Sequence, residues 1–240
     1  RYFRHMINLS LNKKVLIFGI IFTFFSSFGQ SFFLGLFNPS IREELNITHG
    51  QFGSIYAAAT ICSSLVLIWF GKKIDEIKIF NYSLIVISFL FFSSLFFSFI
   101  NSIYLLIIAI FLMRFSGQGL MSHTSSTTIS RYFNRRRGKA LSGIWFGLSS
   151  AEFFLPILII FLLSIFSWRT IWQFISIIIL IILPIVVFYT IKNLDIESRE
   201  KNILDNDKKK FRDIRNWRRS EVLKDFKFYI ISLNMLAMPW

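Results

Sequence analysis

The feature that most constrains this chain is a succession of long apolar runs, each closed by a short polar or basic segment. Residues 15–37 carry no charged side chain, and further runs occupy residues 51–70, 80–100, about 103–131, 140–165 and 170–190. A helix of ~20 apolar residues crosses the ~30 Å hydrocarbon core of a bilayer. Inside that core a segment must satisfy its own backbone polar groups, which an α-helix does. The expected fold class is therefore all-α, a polytopic membrane bundle of six transmembrane helices. Composition agrees: 54% of the 240 residues are hydrophobic, 31 are phenylalanine, and mean hydropathy is +0.58. No small-residue cleavage site follows the first run, so it reads as a span rather than a signal peptide.

The polar segments organise the chain. Residues 1–14 form a basic head, 15–190 the six-helix bundle, 191–225 a charged linker with an expected helical part around 211–217, and 226–240 the truncated start of a seventh span. Lys and Arg number four in 1–14, three in 71–79, five in 131–139 and twelve in 191–227, out of 27 in all. The positive-inside rule then puts both the N-terminus and the linker in the cytoplasm, in a plasma (inner) membrane. The net charge of +14 is spread between spans rather than over one folded face, so nucleic acid is not an expected partner, whereas membrane lipid is. Cys62, inside an apolar run, reads as a small packing residue.

Charged groups within the spans are the functional candidates, because an ionised side chain in hydrocarbon is tolerated mainly in a bundle interior or wet cavity. Arg114 in the fourth run and Glu152 in the fifth lie at similar depth, ~16 and ~18 Å along their helices from opposite ends. Two readings stand: a salt bridge locking two helices, or a cavity holding an anionic substrate or a coupled proton. Helical spacing places Arg114, Gln118, Ser122 and Ser125 on one face, with His123 off that stripe. In the first run Thr23, Ser27 and Gln30 make a weaker stripe, suited to lining a cavity or to hydrogen bonds between helices. Gly143, Gly147 and Ala151 form a ridge for close packing, as do the small residues of the second run.

Three further motifs carry a resemblance to a known family. Gly71-Lys72-Lys73-Ile74-Asp75, the arginine and glycines Arg114, Gly117 and Gly119, and the string from Arg131-Tyr132-Phe133 to Arg137-Gly138-Lys139-Ala140 together resemble the major facilitator superfamily. The last string is similar to its monocarboxylate and oxalate/formate branches. The resemblance implies the N-terminal half of a secondary active transporter of a small solute, with weak preference for an organic anion, working by alternating access against a missing C-terminal half. It also implies a cytoplasmic latch at Gly71 and Asp75, and it admits symport through Glu152. Substrate and coupling candidates are then Arg114, Gln118, Ser122, Glu152 and Gln30. The rival is a non-transporting six-helix scaffold or sensor whose basic tail binds lipid or a partner. No catalytic signature, metal-ligand spacing or cofactor motif is present in the sequence, so neither enzyme activity nor a cofactor is expected.

Overall fold

The structure, a computed structural model, describes residues 2–133, 137–194 and 219–236. The described residues are helical, with no strand among them. Helix α1 (Tyr2–Ser26) ends in a single 3-10 turn (Ser27–Gly29), and α2 (Ser31–Leu36) and α3 (Asn38–Leu45) follow. Then come α4 (His49–Lys72), a second 3-10 turn (Lys73–Asp75), α5 (Ile79–Phe97) and α6 (Ile103–Met113). A π-helical segment (Arg114–Met121) leads without a break into α7 (Ser122–Tyr132), followed by α8 (Arg137–Leu163) and α9 (Trp168–Thr190). Two compact units result, residues 1–200 and 201–240. In the second, α10 (Arg219–Val222) and α11 (Phe226–Leu236) are separated by a turn in which the Asp225 carboxylate accepts from the Lys227 amide at 3.0 Å. The helix expected around 211–217 lies outside the described residues.

Five stretches are long and apolar enough to cross a membrane: His49–Asp75, Ile79–Phe97, Ile103–Tyr132, Arg137–Leu163 and Trp168–Thr190. They match the second to sixth expected spans within a few residues. The first differs. Residues 15–37 are not one helix but two, interrupted where Gln30 turns extended (φ −80°, ψ 157°). The cause is a backbone crossing: a Cβ at Gly29 would collide with the Met113 carbonyl, the Gln118 nitrogen and Gly117 Cα. The connector at residues 38–48 is also more ordered than a polar loop, because Pro39 stands at the start of α3, where its missing N–H costs nothing. Asn46 closes that helix in the left-handed conformation (φ 52°), and Thr48 and Gln51 open α4 with a reciprocal capping box.

Packing follows the small residues. Helix α1 lies along α8, where a Cβ on Gly147 would meet the Ile20 carbonyl and the Thr23 hydroxyl, and Thr23 donates to the Ile144 carbonyl. Ala151 is fully buried in the same seam, but Gly143 faces open space and takes no part. The small-residue face of α4 is open too: Gly53 has no neighbour within 4 Å and Cys62 is exposed rather than packed. One end of the bundle is an aromatic knot in which Phe33, Phe37 and Phe97 surround the buried Trp172 at ring distances of 5.6, 5.2 and 4.6 Å.

Beside that knot Glu44 of α3 pairs with Arg169 and accepts from Trp168 Nε1 at 2.8 Å, while Arg169 also donates to the Ser98 carbonyl at 3.0 Å. Glu44 thus ties α3 to the start of α9, and Arg169 carries the link on to the end of α5. Burial works against its charged form, but the hydrogen bonds from Arg169 and Trp168 and the Arg169 charge outweigh it and hold the carboxyl below the usual carboxylate range. A depressed folded-state pKa stabilises above the unfolded value near 4.5 and ceases to do so as pH falls through the folded one. Glu44→Gln is therefore expected to lose up to ~1 kcal/mol at pH 7, a partly solvated pair being worth little more. Unfolding of wild type and variant from pH 7 to pH 3 checks it: the difference shrinks toward zero at the acid end.

Candidate functional site

The fourth span is where regular helix geometry fails. Arg114–Met121 is π-helical, with Ser116 tied to the Ser93 hydroxyl at 3.1 Å and to the Leu112 carbonyl at 2.7 Å. Gly117 occupies the crossing with α1: a Cβ there would stand 2.6 Å from the Gly29 nitrogen and 2.8 Å from its Cα. Single π-turns inside α-helices concentrate at functional sites, and this one carries the buried arginine.

Arg114 is 8% exposed. Its Nε donates to the Thr60 hydroxyl at 3.1 Å, and Nη1 donates to the Gly29 carbonyl at 3.0 Å. The guanidinium carbon lies 5.0 Å from the centre of the Tyr56 ring. Thr60 is itself oriented by donating to the Tyr56 carbonyl at 2.8 Å, so its lone pairs are free for the arginine. The interruption of the first span leaves the Gly29 carbonyl available for this bond. The irregularity in α1 and the one in α6–α7 thus serve one cation. A guanidinium has five N–H donors, and three of these have no acceptor among the described residues.

Arg114 lines an open cleft of about 550 Å³ between α4, the π segment, α7 and α8, together with Gln118, Ser122, His123 and Trp145 among others. The Ser122 Oγ is buried and has no partner. Arg114, Gln118 and Ser122 are therefore brought together as their spacing suggests, but Ser125 is not with them. It is buried and donates to the Gly19 carbonyl at 2.9 Å, and Ser126 takes its place in the cleft. The reason is the π segment between Arg114 and Met121: a wider turn holds more residues, so the line that α-helical counting carries from 114 to 125 reaches 126 instead. His123 borders the same cleft and donates from Nε2 to the Gly71 carbonyl at 3.1 Å, a carbonyl being able only to accept.

The other candidates lie apart. Glu152 is exposed on α8 and forms no ion pair with Arg114, whose contacts are Thr60, Gly29 and Tyr56. Gln30 is half-buried at the break in the first span, and Thr23 is used up in bonds to α1 and α8. At the end of the cleft Asp75 pairs with Arg131 of α7, which also donates to the Ile74 carbonyl at 3.2 Å. With His123 on Gly71, the turn after α4 is held to α7 at both its ends. Sequence reasoning passed over Thr60, Tyr56, Gly29 and Trp145: hydroxyls and glycines are common in such helices, and only the crossing of three segments selects these. Among the described residues no three His, Cys, Asp or Glu side chains gather to hold a metal.

A family model described as Major Facilitator Superfamily matches residues 19–239. No curated protein matches the chain.

Proposed function

From the premise that the chain belongs to the major facilitator superfamily, and so to a class of membrane transporters that bind small molecules, we propose that it is a secondary active transporter of a small organic anion. The observation that carries this is Arg114, a cation buried in a membrane span, without an acidic partner among the described residues, which lines a polar cleft. A buried charge left unpaired is costly, and an anion entering the cleft relieves that cost. A planar guanidinium suits a carboxylate, which accepts two parallel N–H bonds. Gln118 and Ser122 stand beside it to select the rest of the solute. Thr60 and Gly29 fix the plane of the fork, so its orientation is set before the solute arrives.

Alternating access follows in this reading from rocking of the bundle against a second six-helix half, the exposed faces of α4 and α8 being the ones such a half would cover. The Asp75–Arg131 pair and the His123–Gly71 bond act as the latch that holds the α4–α5 turn in one of the two states. The orientation proposed is N-terminus and linker in the cytoplasm of a cell bounded by the plasma (inner) membrane. Glu152 is the proposed site of proton symport on the exposed face of α8.

Uptake by vesicles containing the complete protein tests this. Formate, acetate and pyruvate are expected to enter at least about tenfold faster than glucose or arginine, as one well-made charged hydrogen bond implies. Equal rates for the neutral and cationic solutes overturn the anion assignment, and uptake indifferent to an imposed pH gradient removes the proton.

A further inference from the structure

Most described hydroxyls in the spans bond to their own helix: Thr60, Ser63, Ser83, Ser94, Ser116 and Thr124 among them donate to carbonyls three or four residues back. This is the usual way for a helix to silence a hydroxyl in hydrocarbon. Along α7 a line of serines does not follow the rule. Ser122, Ser126 and Ser130 stand four residues apart, continue the line of Arg114 and Gln118, and make no such bond. All border cavities: Ser122 and Ser126 the arginine cleft, Ser126 and Ser130 a second cavity of about 430 Å³ at the junction of α7 and α8. The second cavity also contains Thr127, Arg131 and Arg137. Trp145 of α8, 40% exposed, borders both.

Resting on the organic-anion reading, we infer that the second cavity is a separate carboxylate-binding vestibule. Arg137 supplies its charge, and Trp145 is the partition that a solute must pass to reach Arg114. Arg131 is engaged by Asp75 and the Ile74 carbonyl, so it shapes the wall, whereas the exposed Arg137 on the first turn of α8 reaches the solute. The hydroxyls of Ser130 and Ser126, about one α-helical turn (~6 Å) apart on α7, offer successive donors between the two arginines. A cation at each end and neutral donors between them keep an anion solvated throughout without holding it too tightly at any point. Trp145 is apolar and bulky, and its place between the cavities excludes solutes too wide to slip beside it.

The test uses thiol chemistry on the complete protein in nanodiscs of zwitterionic lipid, in a background where Cys62 and every other native cysteine is replaced by alanine. Ser130→Cys and, separately, Ser122→Cys report on the outer and inner cavities. The probes are an anionic and a cationic methanethiosulfonate, each referred to its rate with free cysteine. At Ser130→Cys the anionic probe is expected to be favoured about fivefold, as a focused positive potential implies. Arg137→Gln cuts that preference at least threefold and Arg137→Lys retains it, which separates charge from damage to the fold. Acetate slows the anionic probe at Ser130→Cys. Trp145→Ala speeds reaction at Ser122→Cys severalfold and leaves Ser130→Cys unchanged. A preference untouched by Arg137→Gln overturns the vestibule, and an unchanged rate at Ser122→Cys in Trp145→Ala overturns the partition. Disappearance of the preference when anionic lipid is added also overturns the vestibule, because Arg137 is then a site for lipid headgroups rather than for a free carboxylate. Carboxylate uptake separates this inference from the reading it rests on. An Arg137-dependent anion preference without uptake sinks the transport reading alone, and uptake with no such preference sinks the vestibule alone.

Discussion

Gly117→Ala is expected to destabilise the bundle by about 3 kcal/mol, the upper end of what overpacking costs a close-packed core. The added methyl would lie 2.6 Å from the Gly29 nitrogen and 2.8 Å from its Cα, and both are backbone atoms that cannot swing aside as a side chain would. The two segments must separate. Because Gly29 also supplies the carbonyl that Arg114 uses, substrate affinity should fall with stability. Gly143→Ala is the control. Nothing lies within 4 Å of that position, and alanine is the better helix former by roughly 1 kcal/mol. Thermal unfolding of the two purified variants decides the matter: equal midpoints would show that the glycine crossing does not hold the helices together.

The largest effect on transport is expected at Arg114. Its guanidinium reaches Thr60 and Gly29 from two nitrogens, keeps three donors without an acceptor among the described residues, and lines the cleft. Lysine keeps the charge but concentrates its donors on one nitrogen, so it cannot serve both acceptors and a carboxylate in the same plane. Hydrogen bonds to charged groups are worth about 1.5–3 kcal/mol, so uptake efficiency should fall at least ~10-fold in Arg114→Lys and ~100-fold in Arg114→Gln. Stability should move the other way or not at all in Arg114→Gln, since removing an unpaired buried charge relieves desolvation. Measuring kcat/KM alongside the unfolding midpoint separates the roles. An Arg114→Gln protein that transports normally, or one that unfolds, would reduce the arginine to a structural part.

The positions of the later spans were legible because hydrophobic length and charge are properties of local segments. Residues 51–70, 80–100 and 170–190 stand in the structure almost where their composition puts them. Arg114, Gln118 and Ser122 were legible for a related reason, since a polar residue in an apolar run is conspicuous wherever the helix ends up. Residues 15–37 were misread as one helix because nothing in their own composition forbids it. Phe, Ser and Gly there are compatible with a helix, and the interruption comes from Gly117 on another segment.

The same limit applies to Ser125 and Glu152. Counting along an α-helix puts Ser125 on the arginine's face, but the π turn, which stands at the crossing and contains the Ser116–Ser93 contact, hands that place to Ser126. Equal depth suggested that Glu152 and Arg114 meet, yet depth says nothing about rotation. Helix α8 turns Gly147 and Ala151 to α1, which leaves the adjacent Glu152 exposed. What the sequence alone determined is that this chain is a bundle of membrane helices with a cation in its fourth span, because hydrophobic burial and charge cost are summed residue by residue along each segment. Which atoms hold that cation, and which hydroxyls are left free to meet a solute, was decided only by the crossing of Gly29 and Gly117, where two backbones approach so closely that both helices depart from regular geometry.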